Sequence, residues 1–300
     1  MLDVTVILPT IGREFYLLRA LRSIVNQTLS VNEVLLVFDL PKEIEGLEIV
    51  KKEFKEKQID LRVISTGGNL GGAATRNIGI KEANCEIIMF LDDDDYWKPN
   101  KVERQLKVFE KNPLCVLSHT SRDIVFSNNL DKVVRTVEAT FSGPAYPSIL
   151  WSNVAGVTST IAIRKEALMK TSLFDVNLAC RQDYDLWMRV SKLGQFIAIR
   201  ESLMVYTLFD DATSQISKNY KNHVAAAKYL IKKYSEDLKS LSYLNKRKFI
   251  SEKWFSTAKS ARRTGYFQSL PYLARAFYFL PKPKYLVLLL PDFIYKNLAI

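Results

Sequence analysis

Four consecutive carboxylates, Asp92-Asp93-Asp94-Asp95, follow a short apolar run from Ile87 to Leu91. Adjacent negative charges oppose one another's ionisation, so the cluster calls for a cation. A divalent ion such as Mg²⁺ or Mn²⁺, which prefers carboxylate and phosphate oxygens, answers that need. A plainer reading is also open. Acids favour helix N-termini, and Asp95 could cap the helix suggested by Pro99 to Lys111, but capping accounts for one or two acids rather than four. A second candidate lies upstream in the loop Thr66-Gly67-Gly68-Asn69-Leu70-Gly71-Gly72, with Arg76-Asn77 facing out one turn into the next helix. A helix N-terminus beside a guanidinium suits a diphosphate. The loop has neither the Walker spacing nor a G-x-G-x-x-G, so a flexible turn stays open. The third candidate is Arg181-Gln182-Asp183-Tyr184-Asp185-Leu186-Trp187. Asp183 precedes the helical pattern, where a side chain can reach into a cleft as a general base, whereas Asp185 reads as an N-capping acid.

The elements that must position these residues alternate in type. Val4 to Leu8 reads as a strand, Phe15 to Val25 as a helix and Val34 to Phe38 as a buried strand. Ile44 to Lys57 follows as a helix, Leu61 to Ile64 as a strand, Ala73 to Glu82 as a helix, and then the acidic strand. Such alternation predicts a mostly parallel sheet covered by helices on both faces. Its ligands would sit beyond the carboxyl ends of the strands, where the acid cluster lies. Beyond residue 111, Val116 to His119, Asp123 to Phe126 and Val157 to Arg164 read as strands, with a turn at Asn128-Asn129. His119 is one of only two histidines and has no second histidine at ligand spacing, so it reads as a polar residue at a strand end.

The bulk composition bounds the class. The 300 residues are 48% hydrophobic and 25% charged, as in an ordinary globular protein of one large domain or two modest ones. Cys85, Cys115 and Cys180 form neither a disulfide framework nor a zinc spacing, which suits a reducing compartment. The first residues show no basic region ahead of an apolar run, so no secretory leader is expected. No apolar stretch approaches the ~18 residues of an ordinary membrane-spanning helix. The net charge of +11 is uneven. Residues 216–300 carry 17 Lys and Arg against 4 Asp and Glu, whereas the first 215 carry 26 against 28. That asymmetry points to an anionic partner for the tail.

Four stretches, in order, resemble the family 2 glycosyltransferases. Val6-Ile7-Leu8-Pro9-Thr10 is similar to the family's opening strand. Asn69 to Ile80, with Arg76, Asn77 and Gly79, resembles its N-x-G…A-x-x-R-N-x-G stretch. Phe90 to Trp97 resembles its F-L-D-x-D-D-x-W motif. Phe174-Asp175, followed by Gln182 to Arg189, resembles its F-D…E-D-x-D-L-W-x-R segment. The resemblance covers about residues 3–205. It implies an α/β fold of the Rossmann-like GT-A type, with a catalytic domain over 1–215 and a helical C-terminal extension over 216–300. The nucleotide-binding half would run to about residue 111 and the acceptor-binding half over about 112–215.

The same resemblance implies the roles. Asp94, with Asp92, would hold a divalent cation, Mn²⁺ or Mg²⁺. Pro9, Thr10, Arg13, Asp39, Gly71, Arg76, Asp92 and Asp93 would bind a nucleotide-diphosphate sugar, a UDP-sugar above others. Asp183 would deprotonate a hydroxyl of a saccharide or lipid-linked acceptor. Trp187 and Arg189 would support its helix. The chain departs from the pattern at Asp39-Leu40-Pro41-Lys42, where one acid stands in place of the usual two. It departs again at Gln182, where an acid is usual. A metal-binding histidine sometimes found later has no match, and Asp210 and Asp211, in that region, receive no role. One base and one metal imply a single displacement with inversion, in surface polysaccharide or glycolipid assembly.

The tail reads as helices over Tyr220 to Tyr234 and Lys246 to Arg263, ended by Gly265. Aliphatic–aromatic pieces follow, broken by Pro281, Pro283 and Pro291. Cations and aromatic residues beside apolar segments suit an element lying on an anionic membrane surface, which would place the protein peripherally on the cytoplasmic face. A helical subdomain with solvated cations is the alternative. Two other functions fit the residues less well. A nucleotidyltransferase would want a lysine-bearing glycine-rich signature after the first strand, and Thr10-Ile11-Gly12-Arg13 is a poor version of it. Nucleic-acid binding through the tail lacks any organised motif, and no nucleic-acid partner is expected.

Overall fold

Runs of buried, β-branched residues form the centre of a ten-stranded sheet in the computed structural model, which describes residues 2–40, 43–209 and 219–298. Asp210 and Asp211, with Pro41 and Lys42, lie outside the described residues. The strands β1 (Val4–Thr10), β2 (Glu33–Phe38), β3 (Asp60–Ser65) and β4 (Ile87–Phe90) are mutually parallel in the order β3-β2-β1-β4. All residues of β1, β2 and β4 are buried, as unbroken apolar strands covered on both faces must be. The intervening helices are α1 (Glu14–Val25), α2 (Leu47–Glu56) and α3 (Gly72–Glu82). Leu17, Leu21 and Ile24 of α1 and Val50 and Phe54 of α2 join the β1 and β2 side chains in one core.

The sheet then turns mixed. A two-residue strand β5 (Tyr96–Trp97) follows the acid cluster, and α4 (Lys101–Lys111) leads into β6 (Cys115–Phe126). The two strands expected at 116–119 and 123–126 are thus one. Polar residues at Ser118, His119, Thr120 and Ser121 interrupt its apolar pattern, yet all four are buried. His119 therefore lies within a strand, bonded to the Phe141 carbonyl at 2.9 Å, and burial lowers its pKa. Short strands β7 (Arg135–Val137) and β8 (Gly143–Pro144) precede β9 (Ile161–Arg164). The strand expected from Val157 starts later because Thr158–Thr160 forms a 3₁₀ turn. After α5 (Lys165–Met169) and α6 (Gln182–Val190), β10 (Gln195–Leu208) closes the order β4-β9-β6-β10-β5. Here β9 runs antiparallel to both neighbours and β6 and β10 are parallel.

The chain divides into two compact units. The first comprises residues 1–146, 154–176 and 183–208, and holds the sheet. The second comprises 147–153, 177–182 and 209–300, so it draws in two short segments from within the catalytic domain expected over 1–215. Its helices are α7 (Tyr220–Lys233), α8 (Ser235–Lys239), α9 (Tyr243–Thr264), α10 (Tyr266–Phe279) and α11 (Asp292–Leu298), with a 3₁₀ stretch at Pro283–Leu289. They surround a core of their own, in which Ala227, Trp254, Phe255, Leu273, Ala276, Tyr285 and Leu288 meet. Among the described residues no helix is long and apolar enough to cross a membrane.

Gly79 shows how closely α3 lies on the sheet. A Cβ there would stand 2.6 Å from Ile7 Cγ2, on a fully buried side chain of β1. Overpacking at such a contact costs about 1–3 kcal/mol. Gly79→Val is expected to lower unfolding free energy by that amount in a denaturant titration, and an unchanged midpoint would show that α3 is free to move away from β1.

Candidate active site

Strand register brings the predicted residues to one edge. Because Ile7 pairs with Phe90 and Thr10 with Phe38, the carboxyl ends of β1, β2 and β4 emerge together. Thr10 Oγ1 donates to Asp93 Oδ2 at 2.6 Å and accepts from Gly12 N at 2.9 Å. Arg13, following Pro9 and Thr10, bonds Asp93 Oδ1 and pairs with Asp94 Oδ2 at 2.8 Å. At the end of β2, Asp39 N donates to the Thr10 carbonyl. Its carboxylate accepts from Leu70 N at 2.7 Å and Gly71 N at 2.9 Å. Asp39 therefore shapes the glycine loop, with Gly71 at φ +83° placing the start of α3.

Arg76 links that helix to the acid turn. Its Nη2 bonds Asp92 Oδ1, its Nη1 donates to the Gly72 carbonyl at 3.1 Å, and its guanidinium lies 5.7 Å from the Phe174 ring centroid. Neither Arg76 nor Asn77 faces freely outward as the sequence suggested. Asn77 grips the Phe174 backbone through both amide atoms, at 2.8 and 2.9 Å. The Phe174 ring packs edge-on against Phe90 and Trp187, at 5.6 and 6.2 Å. Through Phe174 the acid-bearing strand, Arg76 and α6 form one packed unit. Asp183 stands at the start of α6, and Arg76 feels the charges of Asp92, Asp183 and Asp94. Burial raises the Asp183 pKa, against the pull of its Tyr184 N–H bond and of Arg76.

The four acids have four separate fates. Asp92 faces Arg76, and both Asp93 oxygens are bound by Thr10 and Arg13, so Asp93 ties β4 to β1 instead of presenting itself to a donor. Burial, then Asp92 and Asp93, push the Asp94 pKa up to about 6 despite Arg13. Burial works against the Arg13 charge in turn, yet Asp94 and Asp93 hold its pKa above the ordinary arginine value. Asp95 is fully buried and caps no helix. It accepts from Ser159 Oγ at 2.6 Å and Thr207 N at 3.1 Å, and burial followed by Asp94 and Asp92 raises its pKa well above the carboxylate range. The residue before α4 is Asn100, which makes no side-chain cap bond. Asp185 lies inside the first turn of α6, buried and paired with Arg189 at 2.7 Å.

Sequence reasoning missed Ser159, Arg19 and Arg122. Ser159 also receives the Asp92 N–H at 3.1 Å, and its carbonyl receives Trp97 Nε1–H, so it clasps the turn from both sides. Arg19 donates to the Asp94 carbonyl and to Thr207 Oγ1, and lies 4.7 Å from the Tyr96 ring centroid. Arg122, on β6, feels Asp95 and Asp183, and burial lowers its pKa. Among the described residues, buried N–H groups of Arg19, Arg76 and Arg122 find no hydrogen-bond partner. Orphaned buried donors on cations suit an anion. A lone Ser between threonines and arginines spaced along α1 and β6 carries no local signature. As to a metal, no group of three or more His, Cys, Asp or Glu among the described residues is arranged to hold one. Among the described residues, Asp92 Oδ2 and Asp94 Oδ1 accept no hydrogen bond, as two carboxylates would if the remaining ligands were phosphate oxygens and water.

Comparisons with known proteins bear on the family and the fold. Residues 5–172, more than half of the chain, match the family described as glycosyl transferase family 2. An uncharacterised glycosyltransferase of Haemophilus influenzae is 27% identical over 232 residues, covering 77% of this chain and 76% of that protein. TuaG of Bacillus subtilis, named as a candidate teichuronic acid biosynthesis glycosyltransferase, is 26% identical over 215 residues, or 70% of this chain and 81% of that protein. A Rickettsia bellii relative is 30% identical, but the chain spans only 30% of its length. Residues 1–349 of Staphylococcus aureus TarS, solved with UDP, superpose with a TM-score of 0.65 at 17% identity, covering 99% of this chain and 86% of that one. At such identity the likeness concerns the fold.

The Asp94 shift has a consequence for stability. Its folded-state pKa of about 6 exceeds the ordinary 3.8, so the folded protein keeps a proton that the unfolded chain releases. The Asp94 contribution therefore falls as pH rises from about 4 to about 6. In metal-free buffer, Asp94→Asn is expected to gain on the order of 1–2 kcal/mol relative to the parent protein between pH 4 and pH 7. A stability difference that stays flat with pH in denaturant titrations would contradict this.

Proposed function

This chain belongs to glycosyl transferase family 2, and from that premise we propose that the acid turn, Arg76 and Asp183 together move a sugar from a nucleotide diphosphate to an acceptor hydroxyl with inversion. The observation that carries the reading is the placing of Arg76 in the field of Asp92, Asp94 and Asp183 at once. One guanidinium then bonds Asp92, on the side of the leaving diphosphate, and feels the charge of Asp183, on the side of the incoming hydroxyl.

An acceptor hydroxyl has a pKa far above 7 and needs a base in the transition state. Asp183 takes that role, since burial raises its proton affinity and its setting beside Arg76 keeps it within reach of the reacting centre. The hydroxyl oxygen bonds to the anomeric carbon as its proton passes to Asp183, and the bond from that carbon to the diphosphate breaks with its electron pair leaving on the phosphate. Arg76, the N-terminus of α3 and the N–H groups of Arg19 and Arg122 that find no partner among the described residues meet the developing negative charge. Asp92 and Asp94 would hold a divalent cation, Mn²⁺ or Mg²⁺, which when bound neutralises the leaving diphosphate. Thr10, Arg13 and Asp39 act mainly by fixing the turn and the glycine loop around the donor. A UDP-sugar is the favoured donor, in keeping with the UDP bound by TarS. A hydroxyl-bearing, cell-surface polysaccharide chain is the favoured acceptor, in keeping with the name of TuaG.

Asp183→Asn is expected to lower the transfer rate by about 10²–10⁴-fold while preserving the thermal shift given by UDP-sugar and Mn²⁺. Full transfer by this variant would remove Asp183 from the role. In the parent protein, chelating the metal should abolish that thermal shift, and a shift unaffected by chelation would remove the cation from donor binding.

A further inference from the structure

We propose that the outer face of α10 docks on an anionic membrane surface. The inference concerns the helical unit alone and does not depend on the transfer reaction. Ser269, Leu273 and Ala276 of α10 are buried, with Leu273 and Ala276 in the core of that unit. The opposite side presents Phe267, Pro271, Ala274 and Tyr278, all exposed and spaced four, three and four residues apart. This spacing forms one stripe along a helix of about 21 Å. Phe267 and Tyr278 are 78% and 75% exposed, which is unusual for two large aromatic side chains on one helix face.

The stripe extends at its Phe267 end. Arg262, itself buried, covers the rings of Tyr266 and Tyr295 at 5.0 and 4.6 Å, bonds the carbonyls of Leu288 and Leu290, and pairs with Asp292. That guanidinium gathers the start of α10, the 3₁₀ stretch and the start of α11 at one place. Leu289 and Phe293, in the segments it gathers, are exposed as Phe267 is.

Charge identifies the occupant. α10 contains no Asp or Glu. Arg275 is exposed with its guanidinium over the Trp254 ring at 4.9 Å, Arg263 is exposed just before α10, and Arg247 bonds the Tyr278 carbonyl at the far end. Lys259 and Arg263 make no ion pair among the described residues, whereas Glu252 is already shared by Lys282 and Lys284. An apolar stripe with aromatic ends and a cationic rim matches the acyl boundary and headgroups of an anionic bilayer. A second copy of the chain would bring the same cations against themselves, which disfavours a symmetric pairing.

Cosedimentation of the full chain with vesicles tests the proposal. Binding is expected to vesicles with about a third phosphatidylglycerol, not to phosphatidylcholine alone, and to weaken as salt rises. Phe267→Ser with Tyr278→Ser should reduce binding at least about tenfold. Arg263→Gln with Arg275→Gln should weaken it and flatten the salt dependence. Phe267 and Tyr278 are exposed, so the thermal midpoint of their double variant should hold. Should a variant fail to fold, hydrogen exchange on the parent protein gives the same answer, with vesicles slowing exchange over 266–279. Equal binding to both vesicle types, unchanged binding by the Phe267 and Tyr278 pair, or no protection over 266–279 would overturn the proposal. So would a dimer in light scattering that this pair dissolves, since it would assign the face to a second copy.

Discussion

Two guanidinium groups hold the acid turn in its shape. Arg13 takes Asp93 and Asp94 from the β1 side, and Arg76 takes Asp92 from the α3 side. Without them, adjacent carboxylates at a mostly buried strand end would face uncompensated desolvation and mutual repulsion. Compensation is incomplete, as the raised Asp94 and Asp95 pKa values record. Asp95 escapes by hydrogen bonding to Ser159 and Thr207, and Asp94 is left with a net demand for positive charge. A turn that is stable yet still short of cations is suited to a divalent ion that arrives with its anionic substrate.

The same arginine that steadies the turn ties it to the far side of the site. Arg76 rests on Phe174, whose backbone is fixed by Asn77 and whose ring packs between Phe90 and Trp187. Displacement of any of these rings would shift Asp183 relative to Asp92 by an amount that matters, because proton transfer demands hydrogen-bond reach. Phe174 and Asn77 therefore work at one remove from the chemistry. Gly79 supports this by allowing α3 to lie directly on Ile7.

Much of this was legible in the sequence, and the limits have physical causes. Buried parallel strands announce themselves as short apolar runs, so β1, β2 and β4 were found with nearly correct bounds. The acid cluster was visible as a cluster, but adjacent strand and turn residues point in different directions, and a linear reading could not say that Asp93 and Asp95 turn inward. β6 was split because its buried Ser, His and Thr residues mimic a loop. Ser159 was invisible, since its importance comes from where β9 meets the turn. In the tail, the apolar residues were seen without their sides: Trp254, Phe255 and Tyr285 lie in the core, and Phe267, Tyr278 and Phe293 lie outside it.

Anomalous diffraction from crystals grown with Mn²⁺ and UDP addresses the central claim most directly. A manganese peak between the Asp92 and Asp94 carboxylates and the diphosphate, with Arg76 against the phosphates and Asp183 facing the sugar side, is the expected result. Bound UDP with its metal elsewhere, or with Asp183 turned away from the diphosphate, would contradict the claim that one arginine joins both halves of the reaction.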